Sequence, residues 1–197
     1  MAETIETRPF PPFLPKKATV MMMGTFPPEQ SKRAMEFHYP NFQNDMWRVF
    51  GLVFFDEKDH FRNGEKKAMD PEKIKAFLSE AGIASCPTVL KAIREKGNAS
   101  DAFLKVVEPV PLADVLEQIP DCKHIGTTGG KATEILLSLL PEKVKLPKTG
   151  ETIPFVFNGR ELTLTRLPST SRAYPLSLPK KAEVYKNFFK ACGLKTK

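Results

Sequence analysis

One short apolar run limits the fold more than any other feature of the chain. Residues 18–23 read ATVMMM and stop at Gly24. A run this short and this apolar is typical of a β-strand that is buried on both faces, because a strand with one wet face alternates apolar with polar residues. Covering both faces requires a layer on each side of the sheet, so the run predicts a layered domain.

Helix and strand signals alternate along the rest of the chain. Asp70 and Pro71 predict a helix start, because aspartate caps a helix and proline fits its first position, and Gly82 predicts its end. The other expected elements are a helix over 44–50, a strand within 83–93, a short helix within 111–120, a strand, Gly-Gly turn and helix over 123–140, a hairpin over 155–167 around Asn158-Gly159, and a last helix ending near Cys192. This order predicts one α/β domain over 1–197, a three-layer sandwich with a short, mainly parallel central sheet flanked by helices.

The positive charge is concentrated at the C-terminus. The formal net charge is +7 and the pI is about 9.3, values that invite a nucleic-acid interpretation. Residues 180–197 hold six lysines against one acidic side chain, Glu183, whereas residues 18–179 are nearly neutral. We therefore expect a basic C-terminal helix and tail over 180–197, and a proline-rich extended arm over 1–17. The net charge alone does not indicate DNA binding.

Several classes of protein are not expected. No apolar stretch approaches the roughly 20 residues of a membrane span, and the N-terminus lacks the pattern of a signal peptide. The three cysteines are odd in number and far apart, and the three histidines are scattered, so disulfide, zinc and iron–sulfur frameworks lack their spacing. The sequence predicts a cytoplasmic monomer without metal or cofactor.

Two loops after predicted strands, and one segment about fifteen residues after the first loop, carry the residue types of a binding site. Ligands of parallel sheets bind beyond the carboxyl ends of the strands. The first segment, at 24–28, reads GTFPP, the second, at 39–47, reads YPNFQNDMW, and the third, at 167–175, reads LPSTSRAYP. An aromatic ring with a carboxamide suits a flat polar heterocycle, and clustered hydroxyls suit phosphate. A rigid turn, a core tryptophan and a Ser/Thr turn are the alternative interpretations.

These segments in this order resemble the uracil-DNA glycosylase superfamily, and most of all its mismatch-specific and hypoxanthine-DNA glycosylase branches. There the first loop reads G-x-N-P or G-S-F-P, the next segment ends H-P-x-N-x-F-W, and the late loop reads N-P-S or L-P-S-T-S. The segment GTTGGKA at 126–132 is similar to a further family segment, N-G-x-x-A after a strand. The resemblance extends from about Phe10 to Lys190.

The resemblance implies roles for individual residues. Asn44 matches the asparagine of the second segment and is the expected catalytic amide. The implied floor and stacking ring of a base pocket are Gly24, Thr25, Phe26 and Tyr39, with Phe37 as the other candidate ring if the register shifts by two. The implied DNA contacts are Ser169, Thr170, Ser171, Arg172 and Tyr174.

Phe26 stands where the most active relatives carry an aspartate or asparagine that positions water, and the hypoxanthine branch also has phenylalanine there. The expected function is a monofunctional glycosylase that excises uracil or hypoxanthine from DNA. The alternative is a damage-binding module of the same fold without turnover. A phosphate-loop enzyme is not expected, because Ile125 and Ala132 replace the glycine and hydroxyl residue that the Walker pattern needs.

Overall fold

The computed structural model describes residues 2–96 and 101–197, and its strands form two sheets. The strands are β1 (Ile5–Thr7), β2 (Val20–Met23), β3 (Ile83–Ser85), β4 (Val89–Arg94), β5 (Leu104–Pro109), β6 (His124–Thr128), β7 (Thr152–Phe157) and β8 (Arg160–Leu167). The helices are α1 (Met46–Phe55), α2 (Pro71–Ala81), α3 (Leu112–Glu117), α4 (Gly130–Ser138) and α5 (Leu178–Ala191), with single 3-10 turns at Gln30–Lys32 and Asp101–Phe103.

The central sheet has the order β3-β2-β6-β8-β7. Its first four strands are parallel, and β7 pairs antiparallel with β8. The β7–β8 hairpin turns at Asn158 and Gly159, both of which have positive φ, at 48° and 75°, as a type I′ turn requires. The predicted α/β class with a mainly parallel sheet is confirmed, and the carboxyl ends of four parallel strands meet at one edge.

Strand β2 divides the core into two layers. Val20 and Met22 face a cluster that includes buried residues of α1, α2 and α5. Met21 and Met23 face a second cluster with residues of α3 and α4. All four side chains are at most 2% exposed, so the apolar run is a strand covered on both faces, as predicted. Helices therefore lie on each side of the sheet.

A second, antiparallel sheet was not predicted. It has the order β1-β4-β5, and its first strand comes from the N-terminal arm, where Ile5 pairs with Ile93. The single strand expected within 83–93 is two strands in different sheets, separated at Pro87. Proline has no N–H for a strand ladder, which explains the break.

Helix ends follow the local signals where a cap is present. The Asp70 carboxylate accepts hydrogen bonds from the backbone N–H groups of Glu72 and Lys73, and Gly82 ends α2 in the left-handed region. Helix α1 begins two residues later and ends five residues later than the predicted 44–50. It extends because Val53 and Phe54 continue its buried face.

Gly126, in β6, lies where α5 packs on the sheet. An added Cβ would come within 2.9 Å of both Leu167 Cδ1 and Phe188 Cζ. We expect Gly126→Ala to lower the free energy of unfolding by about 1–3 kcal/mol, the usual cost of overpacking a core. Gly130→Ala is the matched control, because its Cβ would meet only the tip of the Arg166 side chain; its change should stay within about 1 kcal/mol. Urea denaturation compares the two, and equal losses would contradict this packing argument.

Candidate functional site

A cavity of about 640 Å³ opens at the carboxyl ends of the parallel strands. The loops after β2 and β8 contribute to its wall, as do the segment before α1 and Thr128 at the end of β6. The sequence-predicted site residues that line it are Gly24, Thr25, Phe26, Tyr39, Asn44, Ser169, Thr170, Ser171 and Tyr174. Arg172 and the alternative ring Phe37 lie outside this lining. The topology thus brings together segments that are more than 140 residues apart in the chain.

Gly24 and Tyr39 approach each other very closely at the cavity. A Cβ on Gly24 would lie 2.6 Å from the Tyr39 hydroxyl and 3.3 Å from Thr128 Oγ1. The Tyr39 hydroxyl and Thr128 Oγ1 share a hydrogen bond of 3.0 Å at the end of β6. Only a residue without a side chain fits at position 24, so the first loop is glycine for steric reasons.

Tyr39 is held in an unusual backbone conformation. Its φ is 53°, in the left-handed region that non-glycine residues rarely adopt. The neighbouring carbonyl oxygen of His38 accepts a 3.0 Å hydrogen bond from Trp47 Nε1, and the Trp47 ring meets Tyr39 edge to face. Burial raises the pKa of the Tyr39 hydroxyl well above its ordinary value of 10. Phe37, the other candidate ring, is instead buried in the core.

The two ends of the Asn44 side-chain amide have different surroundings. The N-cap residue of α1 is Asp45, whose side chain makes no capping hydrogen bond; instead the preceding Asn44 Oδ1 accepts a 2.9 Å hydrogen bond from the backbone N–H of Met46 and so caps the first N–H of the helix. The side chain is half-buried in the cavity wall. Because the amide oxygen is used in the cap, the NH₂ group is the end that can donate to a ligand.

Two buried residues that sequence reasoning did not assign, His38 and Ser85, also line the cavity. His38 Nε2 lies 2.8 Å from the Pro11 carbonyl oxygen, and Nδ1 lies 2.6 Å from Ser85 Oγ. Since a carbonyl can only accept, the proton is on Nε2, and Ser85 donates to Nδ1. Burial, the largest cause, lowers the pKa of His38 to about 4 and keeps it neutral.

Asp101 is another cavity residue that sequence reasoning did not assign. It lines the cavity, and its Oδ2 accepts a 3.1 Å hydrogen bond from Thr25 Oγ1. The residue as a whole is exposed, but partial burial of its carboxylate raises the pKa, against the opposing effects of the Thr25 hydrogen bond and the Lys131 charge. No local pattern identifies Asp101, because its partner is 76 residues away.

The late loop, residues 168–175, is anchored by hydrogen bonds from buried groups. Tyr185 donates a 2.7 Å hydrogen bond to the Pro168 carbonyl oxygen, and Lys181 Nζ donates one of 2.9 Å to that of Ser171. The backbone N–H of Asp45 donates to the Thr170 carbonyl oxygen at 2.9 Å. Helices α1 and α5 therefore fix the loop against the cavity.

Three cations surround the carboxylate of Asp45. Lys181 and Arg172 lie 3.3 Å from its oxygens, and Arg48 lies 3.9 Å away. Lys181 is 1% exposed, whereas the Arg172 side chain is 48% exposed and also donates to Gln43 Oε1. Lys181 therefore does not belong to a solvated basic tail. The group carries more positive than negative charge beside the late loop.

Exposure and hydrogen bonding differ along the late loop. Ser169 and Ser171 each accept, through Oγ, a backbone N–H two residues further on, as in an ordinary Ser/Thr turn. Thr170 is 2% exposed, while Ser171 is exposed and Tyr174 is half-buried. A serine Oγ that accepts a backbone N–H keeps its own O–H proton for donation.

Neither a metal cluster nor a membrane helix is found in the described part of the chain. Within residues 2–96 and 101–197, no three His, Cys, Asp or Glu side chains come close enough to hold a metal ion. Over the same residues, no helix has the length and apolar character needed to cross a membrane.

The fold of this chain is also found in a protein of known structure. No protein-family model matches the chain, and no curated protein matches it. The solution NMR structure of a "putative uracil DNA glycosylase" from Methanosarcina acetivorans is similar to 96% of this chain and 99% of its own, with a TM-score of 0.62 and 22% identity. The chain therefore has the same fold as that protein.

The stability of the fold should depend on pH through His38. Its pKa is about 4 when folded and ordinarily 6.5, so between these values the unfolded chain binds the extra proton. We expect the free energy of unfolding to fall by about 3 kcal/mol as the pH decreases from 6.5 to 4, at about 1.4 kcal/mol per pKa unit. Denaturation across this range, with an NMR titration of His38, measures the effect. His38→Asn should flatten it; an unchanged slope in that variant would assign the pH dependence to other groups.

The Asp45–Lys181 pair should show a strong energetic coupling. Lys181→Met alone should cost about 3 kcal/mol, because it leaves the buried carboxylate with one partner fewer. The double variant with Asp45→Asn should lose less than the sum of the single losses, with a coupling of about 1–3 kcal/mol in urea denaturation. The exposed Lys105–Glu3 pair, at 3.5 Å, is the control and should give less than about 1 kcal/mol. Additive losses at Asp45 and Lys181 would contradict the coupling.

Proposed function

We propose that the protein is a monofunctional DNA glycosylase of the uracil-DNA glycosylase superfamily, which hydrolyses the N-glycosidic bond of a deaminated base, uracil or hypoxanthine. The observation that carries this proposal is the convergence of the family-like segments on one cavity. The fold shared with the "putative uracil DNA glycosylase" from Methanosarcina acetivorans supports it.

The cavity suits a single flat base that has left the helix. Its volume of about 640 Å³ lies within the range of small-molecule pockets, about 300–1,000 Å³. Phe26 and Tyr39 supply aromatic surface, and the amide of Asn44 supplies a polar contact. A base inside a duplex cannot reach such a cavity, so the target nucleotide must rotate out of the stack.

Asn44 is the residue we assign to stabilisation of the departing base. Breaking the glycosidic bond leaves negative charge on the base and positive charge on the sugar. An NH₂ group aimed at a base carbonyl oxygen stabilises that negative charge, and it does so without reorganisation because the Met46 cap already holds the amide. Uracil and hypoxanthine both carry a ring carbonyl that can accept this hydrogen bond.

The late loop is the proposed contact with the DNA backbone. The O–H groups of Ser169 and Ser171 can donate to phosphate oxygens, as hydroxyl residues do in protein–DNA complexes. Arg172 adds a half-exposed positive charge beside them. Tyr174 is the proposed residue that fills the space left by the flipped base. Thr170 is buried, so we assign it to the cavity wall and to the anchoring of the loop.

Phe26 favours the hypoxanthine branch of the superfamily. It stands in the first loop where other branches place an amide or carboxylate, and it lies under the guanidinium of Arg94 at 5.3 Å. The sequence LPSTS at 167–171 points to the same branch. We therefore expect hypoxanthine to be released from duplex DNA at least as fast as uracil.

The test is single-turnover release of base from duplexes that contain uracil, hypoxanthine or xanthine, with excess protein. We expect abasic product from at least one lesion and none from undamaged DNA. Binding that distinguishes the lesion without any abasic product would instead favour a damage-binding module of the same fold.

Variants of Asn44 separate its two functions. Asn44→Ala should slow base release about 10²–10³-fold, the usual cost of losing one such donor, while duplex affinity changes little. Asn44→Asp keeps an oxygen for the helix cap, since aspartate caps as well as asparagine, but it removes the donor. It should fold with wild-type stability and also lose base release. Full activity in Asn44→Asp would argue that Asn44 acts only as a cap.

A further inference from the structure

The proposed reaction needs a group that activates water, and the first loop does not provide it. Phe26 occupies the position where a carboxylate or amide serves that purpose in relatives. His38 lies in the cavity wall, but both of its ring nitrogens are hydrogen-bonded within the protein, and burial lowers its pKa to about 4. Neither residue is suited to take a proton from water near neutral pH.

Asp101 carries the only carboxylate among the described residues that line the cavity. It comes from the 3-10 turn before β5, far from the first loop in sequence. Thr25 Oγ1 donates a 3.1 Å hydrogen bond to its Oδ2 and so connects it to the loop that also holds Phe26. Thr25 is itself buried, at 7% exposure.

We infer that Asp101 is the catalytic base of the proposed glycosylase, and this inference rests on the proposed function. The carboxylate holds a water molecule against C1′ of the flipped nucleotide and accepts one of its protons. The C1′–N bond breaks, its electron pair leaves with the base, and the water oxygen bonds to C1′. The base anion takes a proton from solvent, and Asp101 returns its proton to solvent, so the products are a free base and an abasic sugar.

The charges around Asp101 set the pH range of this step. Burial raises its pKa above the ordinary 3.8, while Thr25 and Lys131 of α4 act in the opposite direction. Tyr39 and Lys32 are the other titratable residues besides His38 and Tyr174 that line the same cavity among the described residues. A carboxylate with a raised pKa is a stronger proton acceptor. Because the ionised form is the active one, the rate should rise with pH through the raised pKa and then level off.

The test compares Asp101→Asn with the wild type in single-turnover base release and in duplex binding. The side-chain oxygen of asparagine can still accept the hydrogen bond from Thr25, so this substitution removes the basic group with the least change of shape. We expect base release to slow about 10²–10⁴-fold, the usual contribution of a general base, and lesion-duplex affinity to stay within about threefold. Asp114→Asn, on the exposed surface of α3, is the matched control and should keep the wild-type rate.

Two further readouts distinguish a base from a structural carboxylate. The acidic limb of the pH profile should disappear in Asp101→Asn, and added formate should restore part of the rate of Asp101→Ala. If the wild type releases base and the rate of Asp101→Asn is within about threefold of the wild-type rate, this inference is overturned and the glycosylase proposal stands. Absence of base release by the wild type overturns both proposals.

Discussion

The carboxylate of Asp45 is the contact on which the geometry of the site depends. It lies at the start of α1 and pairs with Lys181 from α5 and Arg172 from the late loop. Its backbone N–H also holds the Thr170 carbonyl oxygen. One buried side chain thus joins two helices and a loop. The cost of burying it is offset by three cations, and a loop held in this way loses little further entropy when it contacts a ligand.

The close approach of Tyr39 to Gly24 gives the cavity its shape. The left-handed backbone at Tyr39 costs about 1–2 kcal/mol. The Thr128 hydrogen bond and the edge-to-face contact with Trp47 offset it. A strained residue that is held from several sides is typical of a preorganised functional site. The ring, the amide of Asn44 and the first loop are in this way placed in the protein before any ligand arrives.

Local patterns predicted the elements whose causes are local. Strand β2 follows from its apolar run, α2 from the Asp70 cap and Gly82, and the β7–β8 hairpin from Asn158-Gly159. The second sheet was missed, because β1 pairs with a strand more than 80 residues away, and no short window contains both partners. The break at Pro87 was visible in the sequence as a proline, but not the change of sheet that accompanies it.

The sequence by itself determined the layered α/β class and the segments that surround the cavity, because these depend on hydrophobic pattern, caps and turns within a few residues. Tertiary structure alone decided which polar groups meet there. Asp101 reaches Thr25 across 76 residues, and Lys181 reaches Asp45 across 136. A lysine in a basic C-terminal segment resembles a solvated one until the fold buries it beside a carboxylate, since burial is a property of the packed chain and not of its local sequence.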